Sequence, residues 1–109
     1  NKQLMLETWE YEQDGHFYSL SLWLNQNAHK FGFYFPYKTY KHGVAKEPWH
    51  LSYAPLSSIF QQQLTPSLLT NVISAHEPLN SMSLKATVLA EMNYIFTQYI
   101  NNINEIDNG

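Results

Sequence analysis

The residues of this chain best suited to chemistry are Glu47 and His50, in the string Glu47-Pro48-Trp49-His50. A neutral imidazole is the commonest protein ligand of transition metals. A carboxylate held beside a metal-bound water is the usual general base of metal-assisted hydrolysis. A catalytic zinc takes three protein ligands and keeps one position open. The string is therefore typical of part of a zinc hydrolase site, with one of the three ligands present.

The proline decides whether the two side chains can meet. Residues 49–53 predict a strand in which Trp49 faces the core and His50 faces the other side. Residues three apart in a regular strand point to opposite faces. Because proline fixes φ and has no N–H, a bend at Pro48 would let Glu47 reach the side of His50. The alternative interpretation is that His50 is a buried strand histidine and Glu47 a solvated loop acid.

Several other side chains are secondary candidates. Ser52 shares the predicted face of His50 and could hydrogen-bond within the site, whereas Trp49 is a substrate-binding candidate only by its neighbourhood. Tyr53 is predicted to lie in the core with Trp49. His42, in the loop before Glu47, is a less favoured second metal ligand. The remaining histidines are predicted to be surface or cap residues: His16, His29 and His76.

Composition excludes several classes of function. The 109 residues allow one small domain, and 44% hydrophobic residues are enough for a core. A net charge of −3 gives no footprint for nucleic acid, and no apolar run is long enough to span a membrane. The absence of Cys excludes thiolate chemistry, and the chain contains no Arg. Because Arg is the preferred clamp for carboxylates, a carboxylate bound at this site would have to be held by Lys or by a residue upstream.

The pattern predicts an α+β fold, with a small antiparallel sheet backed by helices. In the first half, residues 4–11 predict a strand or an extended entry, and residues 17–30 predict an amphipathic helix closed by Gly32. Strands are predicted over 31–37 and 49–53.

In the second half, residues 55–60 predict a short turn. Thr65 and Pro66 predict an N-cap and first helical residue, and that helix should end near Glu77. Apolar residues spaced by three and four predict one long helix over 81–104.

The sequence of this chain resembles a known family of enzymes. The resemblance is to the D-alanyl-D-alanine carboxypeptidases of the vancomycin-resistance type. It is carried by Glu47-Pro48-Trp49-His50 and by residues 23–33, 36–37 and 6–15. These are related to lysostaphin-like and hedgehog-fold zinc peptidases. The resemblance runs from residue 6 to about residue 65.

The resemblance implies a role for two residues. His50 matches the third zinc ligand of the family and Glu47 its catalytic base. The first motif of the family, Ser-x-His-x-x-Gly-x-x-x-Asp, supplies the other two ligands and is expected upstream of residue 1. Residues 1–109 would then form the C-terminal portion of a single peptidase domain with a hedgehog-like, D,D-peptidase-like fold. By itself this portion is expected to be inactive and not to hold zinc tightly.

The implied activity is zinc-dependent hydrolysis of peptidoglycan stem peptides ending in D-Ala-D-Ala, in the bacterial cell envelope or periplasm, with the cytoplasm as the alternative. Expected partners are the peptide substrate, the missing N-terminal part and, through exposed strand edges, a second copy of the chain. Two other hypotheses remain open. One is a metal-free domain of the family that binds peptidoglycan or protein; the other is an interaction module that docks a partner through the C-terminal helix.

Overall fold

The computed structural model describes residues 3–76 and 82–106. It confirms the α+β class, with helices and one two-stranded antiparallel sheet in the described part of the chain. The chain divides into two compact units, Asn1–Ser57 with Ile103–Gly109, and Ser58–Asn102. Each unit has its own local structure and is described separately.

The first unit opens with a short helix where the sequence predicted an extended segment. Residues 4–7 lie outside any helix or strand, but Thr8–Tyr11 form a 3₁₀ helix. The backbone N–H of Glu7 donates to Oε1 of Glu10 at 2.9 Å, which is how an acid in the first turn stabilises a helix start. A Cβ on Gly15 would collide with the carbonyl oxygens of Trp9 and Glu10, so the chain needs glycine to turn back here.

Helix α1 (Tyr18–Asn27) continues into a 3₁₀ helix, Ala28–Phe31, and together these confirm the predicted helix. Gly32 closes it with a left-handed φ of 85°, as predicted. A side chain at Gly32 would also lie 3.0 Å from a ring carbon of Tyr53. The backbone therefore requires glycine at this position for two reasons.

The sheet is much shorter than predicted. Strand β1 (Phe33–Tyr34) pairs antiparallel with β2 (Ser52–Tyr53), with Phe33 opposite Tyr53 and Tyr34 opposite Ser52. The predicted strands over 31–37 and 49–53 were wrong in length. Pro36 has no N–H for a ladder, and its carbonyl accepts instead from the N–H of Asn104 at 2.8 Å.

A returning segment is fixed against the loop after β1 in this unit. Asn104 accepts from the Thr39 N–H at 3.1 Å, and its amide donates to the Thr39 hydroxyl at 2.8 Å. Lys41 donates to the carbonyl of Ile103 at 3.0 Å. These contacts require an extended chain after residue 101, so the predicted helix could not continue to residue 104.

Helix α2 (Ala54–Gln63) replaces the predicted short turn, because Pro55 suits a first helical turn and no breaker follows it. Helix α3 (Pro66–Ala75) begins as predicted: the Thr65 hydroxyl accepts from the Leu68 N–H at 3.1 Å. His76 is the C-cap of α3. The predicted stop at Glu77 lies outside the described residues.

The single long helix predicted over 81–104 is wrong, and residue 81 lies outside the described part. The chain forms α4 (Met82–Ala90), α5 (Met92–Ile95) and a π-helical turn, Phe96–Ile100. The Thr97 hydroxyl donates to the carbonyls of Asn93 and Tyr94 at 2.8 and 3.3 Å, which competes with regular helix hydrogen bonds. No helix within residues 3–76 and 82–106 is long and apolar enough to cross a membrane.

Candidate functional site

The structure brings the side chains of Glu47 and His50 into direct contact. The His50 N–H donates to the Glu47 carbonyl at 3.2 Å, so the two residues close a turn around Pro48 and Trp49. Nδ1 of His50 lies 2.9 Å from Oε2 of Glu47. The prediction that His50 lies on a strand is wrong, because the strand starts two residues later, at Ser52. This turn removes the difficulty that strand alternation posed.

Both side chains of the pair remain accessible. The Glu47 side chain is 28% exposed and the His50 side chain 44% exposed. An ionised carboxylate can only accept a hydrogen bond, so Nδ1 of His50 is the donor and the neutral ring keeps Nε2 as its acceptor. The pair can therefore take up a proton at the carboxylate and offer a lone pair at the imidazole.

Tyr37 contacts both members of the pair and was not singled out by sequence reasoning. Its carbonyl accepts from the Glu47 N–H at 2.9 Å. Its ring centre lies 4.9 Å from that of His50, with the rings at 83°. The one signal in the sequence was its place in the Pro36-Tyr37 string that resembles the carboxypeptidases. Tyr37 therefore belongs to the site by geometry.

The other predicted neighbours divide into two groups. Trp49 is half-buried and its ring centre lies 5.9 Å from that of Tyr11, so it packs inward as predicted. Tyr53, predicted as core, is 43% exposed beside the ring of Phe33. That prediction was wrong because β2 has one solvent-facing side. Ser52 is half-buried in β2, and its role stays a prediction.

A second carboxylate–imidazole contact lies in the first unit and has a structural character. The Glu10 side chain is fully buried, and Nε2 of His16 donates to its Oε2 at 2.9 Å. The N–H groups of Met5 and Glu7 donate to the same carboxylate at 3.2 and 2.9 Å. Glu10 thus fixes the segment at residues 5–7, where Leu6 has a left-handed φ of 59°.

Electrostatics favour a charged Glu10. Burial by itself would raise the pKa of this carboxyl, but hydrogen bonds from Glu7, His16 and Met5, with the charge of His16, outweigh burial and lower the pKa below its ordinary value. Burial and the nearby Glu10 charge raise the pKa of the Tyr11 hydroxyl. Glu10 is therefore a satisfied buried anion that holds its own segment.

The other histidines lie in loops or at helix ends. His29 is exposed in the 3₁₀ helix after α1, and His76 is an exposed cap. His42 has a left-handed φ of 66°, and its ring centre lies 5.0 Å from that of Tyr40. Among the described residues, no three His, Cys, Asp or Glu side chains come together as a metal site. His42 therefore does not join Glu47 and His50 in a group of three there, and a site built from His42 and His50 stays a prediction.

Residues 2–56 match the D-alanyl-D-alanine carboxypeptidase family. The chain belongs to the D-alanyl-D-alanine carboxypeptidase family. Its relatives include an uncharacterised protein of Haemophilus influenzae, which is 35% identical over 101 residues. That alignment covers 91% of this chain and 74% of the Haemophilus protein. No solved structure matches the chain.

The part matched to the D-alanyl-D-alanine carboxypeptidases lies within the first structural unit. Residues 2–56 lie within Asn1–Ser57 and include Tyr37, Glu47 and His50. The predicted family is confirmed, although the match ends earlier than residue 65. Because the Haemophilus alignment spans 91% of the chain, it also includes most of the second unit.

Proposed function

We propose that this chain carries part of the hydrolytic centre of a peptidase that removes the terminal D-Ala from D-Ala-D-Ala peptides. The observation that carries the proposal is the 2.9 Å contact between Glu47 and His50 inside the segment matched to the family. Glu47 is the proposed catalytic base and His50 the proposed metal ligand. Family membership supports the carboxypeptidase class, and the accessible pair supplies the two chemical functions.

The described residues meet only part of what a zinc ion requires. Catalytic zinc takes three protein ligands, whereas the site offers one imidazole and one carboxylate, and no cluster of three forms among residues 3–76 and 82–106. We propose that other residues of the same peptidase domain supply the remaining ligands. Because the described shell does not fit the ion by itself, no step of the reaction is derived through zinc.

Proton transfer is the step that the chain's own residues support. Water attacks the carbonyl carbon of the scissile peptide bond, and Glu47 accepts the proton that the water loses. The carbon–nitrogen bond then breaks, and the same carboxylate returns that proton to the leaving amine of D-alanine. His50 orients the carboxylate through its Nδ1–H during both transfers.

The hydrogen bond also suggests a competing role for Glu47. A metal-binding histidine usually donates its other ring N–H to a carboxylate, which orients the ligand without reacting. Glu47→Gln separates the two roles, because the amide oxygen can still accept from His50 but cannot take a proton. If Glu47 is the base, the amide should abolish turnover and leave zinc affinity nearly unchanged. If it only orients His50, Glu47→Gln should retain most of the turnover.

The test uses the polypeptide as the cell produces it and an acetylated peptide ending in D-Ala-D-Ala. Release of D-alanine should fall about 10²- to 10⁴-fold in Glu47→Gln, which is the usual contribution of a general base. Glu91→Gln is the matched control, since Glu91 is an exposed acid outside the matched segment. Wild-type turnover by Glu47→Gln would refute the base assignment.

The substrate class and location follow from the proposed reaction. We propose peptidoglycan stem peptides as substrates and the bacterial cell envelope or periplasm as the location, with a cytoplasmic enzyme as the alternative. Fractionation of cells that express the tagged protein distinguishes the compartments.

Self-association of the chain stays a prediction, and light scattering tests it.

A metal-free binding domain of the same family is the second candidate. The observation that favours it is that no group of more than two metal-binding side chains forms among the described residues. A binder would retain the peptide without releasing D-alanine, and its affinity would not change when zinc is removed. The carboxypeptidase requires the opposite result in both measurements.

A further inference from the structure

Tyr37 lies outside the turn of residues 47–50 and contacts both Glu47 and His50. We propose that Tyr37 is a positioning residue of this peptidase, acting through its backbone carbonyl on Glu47 and through its ring on His50. This inference rests on the proposed function. Tyr37 would contribute no reacting group. It would only orient the two residues that react.

The backbone contact fixes the start of the turn. The Glu47 N–H donates to the Tyr37 carbonyl at 2.9 Å, and the His50 N–H donates to the Glu47 carbonyl at 3.2 Å. Tyr37 is itself held on both sides. Asn104 donates its N–H to the carbonyl of Pro36 at 2.8 Å and accepts from the Thr39 N–H at 3.1 Å. The carbonyl that holds Glu47 therefore belongs to a well-supported segment.

The ring contact restricts the imidazole. The Tyr37 and His50 rings meet edge to face at 83°, with centres 4.9 Å apart. Edge-to-face contacts have a preferred geometry. The His50 side chain is 44% exposed. Packing around it therefore does not fix its rotamer by itself. Its contacts with the Glu47 carboxylate and with the Tyr37 ring both restrict its orientation.

The two contacts together set the position of the carboxylate relative to the imidazole. A misplacement of about 1 Å in a catalytic group can cost about 10²-fold in rate. Sites that work are held by neighbours whose own positions are fixed. The ring contribution can be tested without the backbone contribution, because substitution of the side chain leaves the Tyr37 carbonyl in place.

Kinetics on the polypeptide as the cell produces it provide the first readout. Tyr37→Phe keeps the ring and should retain kcat within about 3-fold, whereas Tyr37→Leu should lower kcat by about 10- to 100-fold. KM should change little, because orientation of the pair acts in the transition state. Tyr40→Leu is the matched control, since it removes a tyrosine–histidine ring contact with His42 at 5.0 Å.

Nitrogen NMR of the His50 ring provides a readout that needs no turnover. In the wild type and in Tyr37→Phe, the neutral ring should carry its proton on Nδ1 at fixed neutral pH. Tyr37→Leu should give a mixture of the two ring tautomers, and Tyr40→Leu should match the wild type. The NMR result tests positioning even if D-Ala-D-Ala hydrolysis itself is absent.

Two results would overturn the proposal. The first is a Tyr37→Leu protein with wild-type kcat and an unchanged His50 tautomer. The second is a Tyr37→Phe protein as impaired as Tyr37→Leu, which would assign the effect to the hydroxyl group. Loss of activity in Glu47→Gln together with either result would leave the proposed function standing and remove only the role of Tyr37.

Discussion

Nδ1 of His50 donates to Oε2 of Glu47 at 2.9 Å across a turn whose central residues are Pro48 and Trp49. The backbone hydrogen bond from His50 to Glu47 makes this a four-residue turn with proline at its second position, where the fixed φ of proline suits the turn. The order of the four residues therefore does more than place two reactive groups near each other. It builds the local geometry that makes them meet.

Pro48→Ala should loosen this turn. The expected loss is about 0.4–1 kcal/mol in the free energy of unfolding, because alanine gives the unfolded chain more conformations to lose. The contact between Glu47 and His50 should also become less populated. Urea unfolding measures the first effect and the His50 ring spectrum the second. Equal or greater stability of Pro48→Ala would contradict the argument.

Glu10 should make the fold sensitive to acid. Hydrogen bonds and the His16 charge lower the Glu10 pKa in the folded state below its ordinary value of 4.5. A group with a lowered folded pKa stabilises the fold above its unfolded pKa, and that contribution is lost as pH falls through the folded value. We therefore expect stability to decrease below about pH 4, measured by thermal unfolding at a series of pH values.

Glu10→Gln should remove that acid-dependent loss and lower stability at neutral pH. The glutamine amide has only one oxygen. It therefore cannot accept all the hydrogen bonds that Met5, Glu7 and His16 donate to the two carboxylate oxygens of Glu10. Glu12→Gln is the control, because the Glu12 side chain is 55% exposed. An acid dependence that survives in Glu10→Gln would assign the effect to another carboxyl.

Gly32→Ala should destabilise the first unit by about 1–2 kcal/mol, the cost of a left-handed backbone for a residue with a Cβ. The strain adds to contacts of 3.0 Å with Tyr53 and 3.3 Å with Pro55. Gly43→Ala is the control, because Gly43 does not have a positive φ. Similar unfolding midpoints for the two variants would show that the helix end tolerates a side chain.

Thr65→Ala should cost about 1 kcal/mol, since the hydroxyl accepts the Leu68 N–H at the start of α3. Thr65→Ser keeps the acceptor and should recover most of the loss. Helical content measured against urea concentration checks both variants. A Thr65→Ser protein as unstable as Thr65→Ala would indicate that the methyl group, and not the cap, is responsible.

Features set by neighbours in the chain were predictable from the sequence, and features set by distant partners were not. Gly32 and Thr65 act within one helical turn, so their roles as helix end and helix start were correct. The strand lengths were wrong because Pro36 pairs with Asn104, a partner that local pattern does not reveal.

The candidate site divides in the same way. Glu47 and His50 could be found from residue type and spacing, together with the family resemblance. Tyr37 could not, because its place depends on a backbone contact across ten residues and on the ring of His50. The prediction of one long C-terminal helix was wrong for a different reason. The apolar spacing correctly indicated helical structure, but the Thr97 hydroxyl competes for the carbonyls of the preceding turn.

Zinc binding is the property in which this chain and the proposed peptidase should differ most. One imidazole and one carboxylate are fewer than the three protein ligands of a catalytic zinc. The 109-residue chain should therefore lose added zinc on dialysis, while a longer polypeptide should keep one ion if it contains the additional ligands proposed above. Metal analysis by mass spectrometry distinguishes the two, and His50→Ala should abolish retention in the longer polypeptide. If the 109-residue chain keeps one zinc ion that depends on His50, other residues must complete the shell.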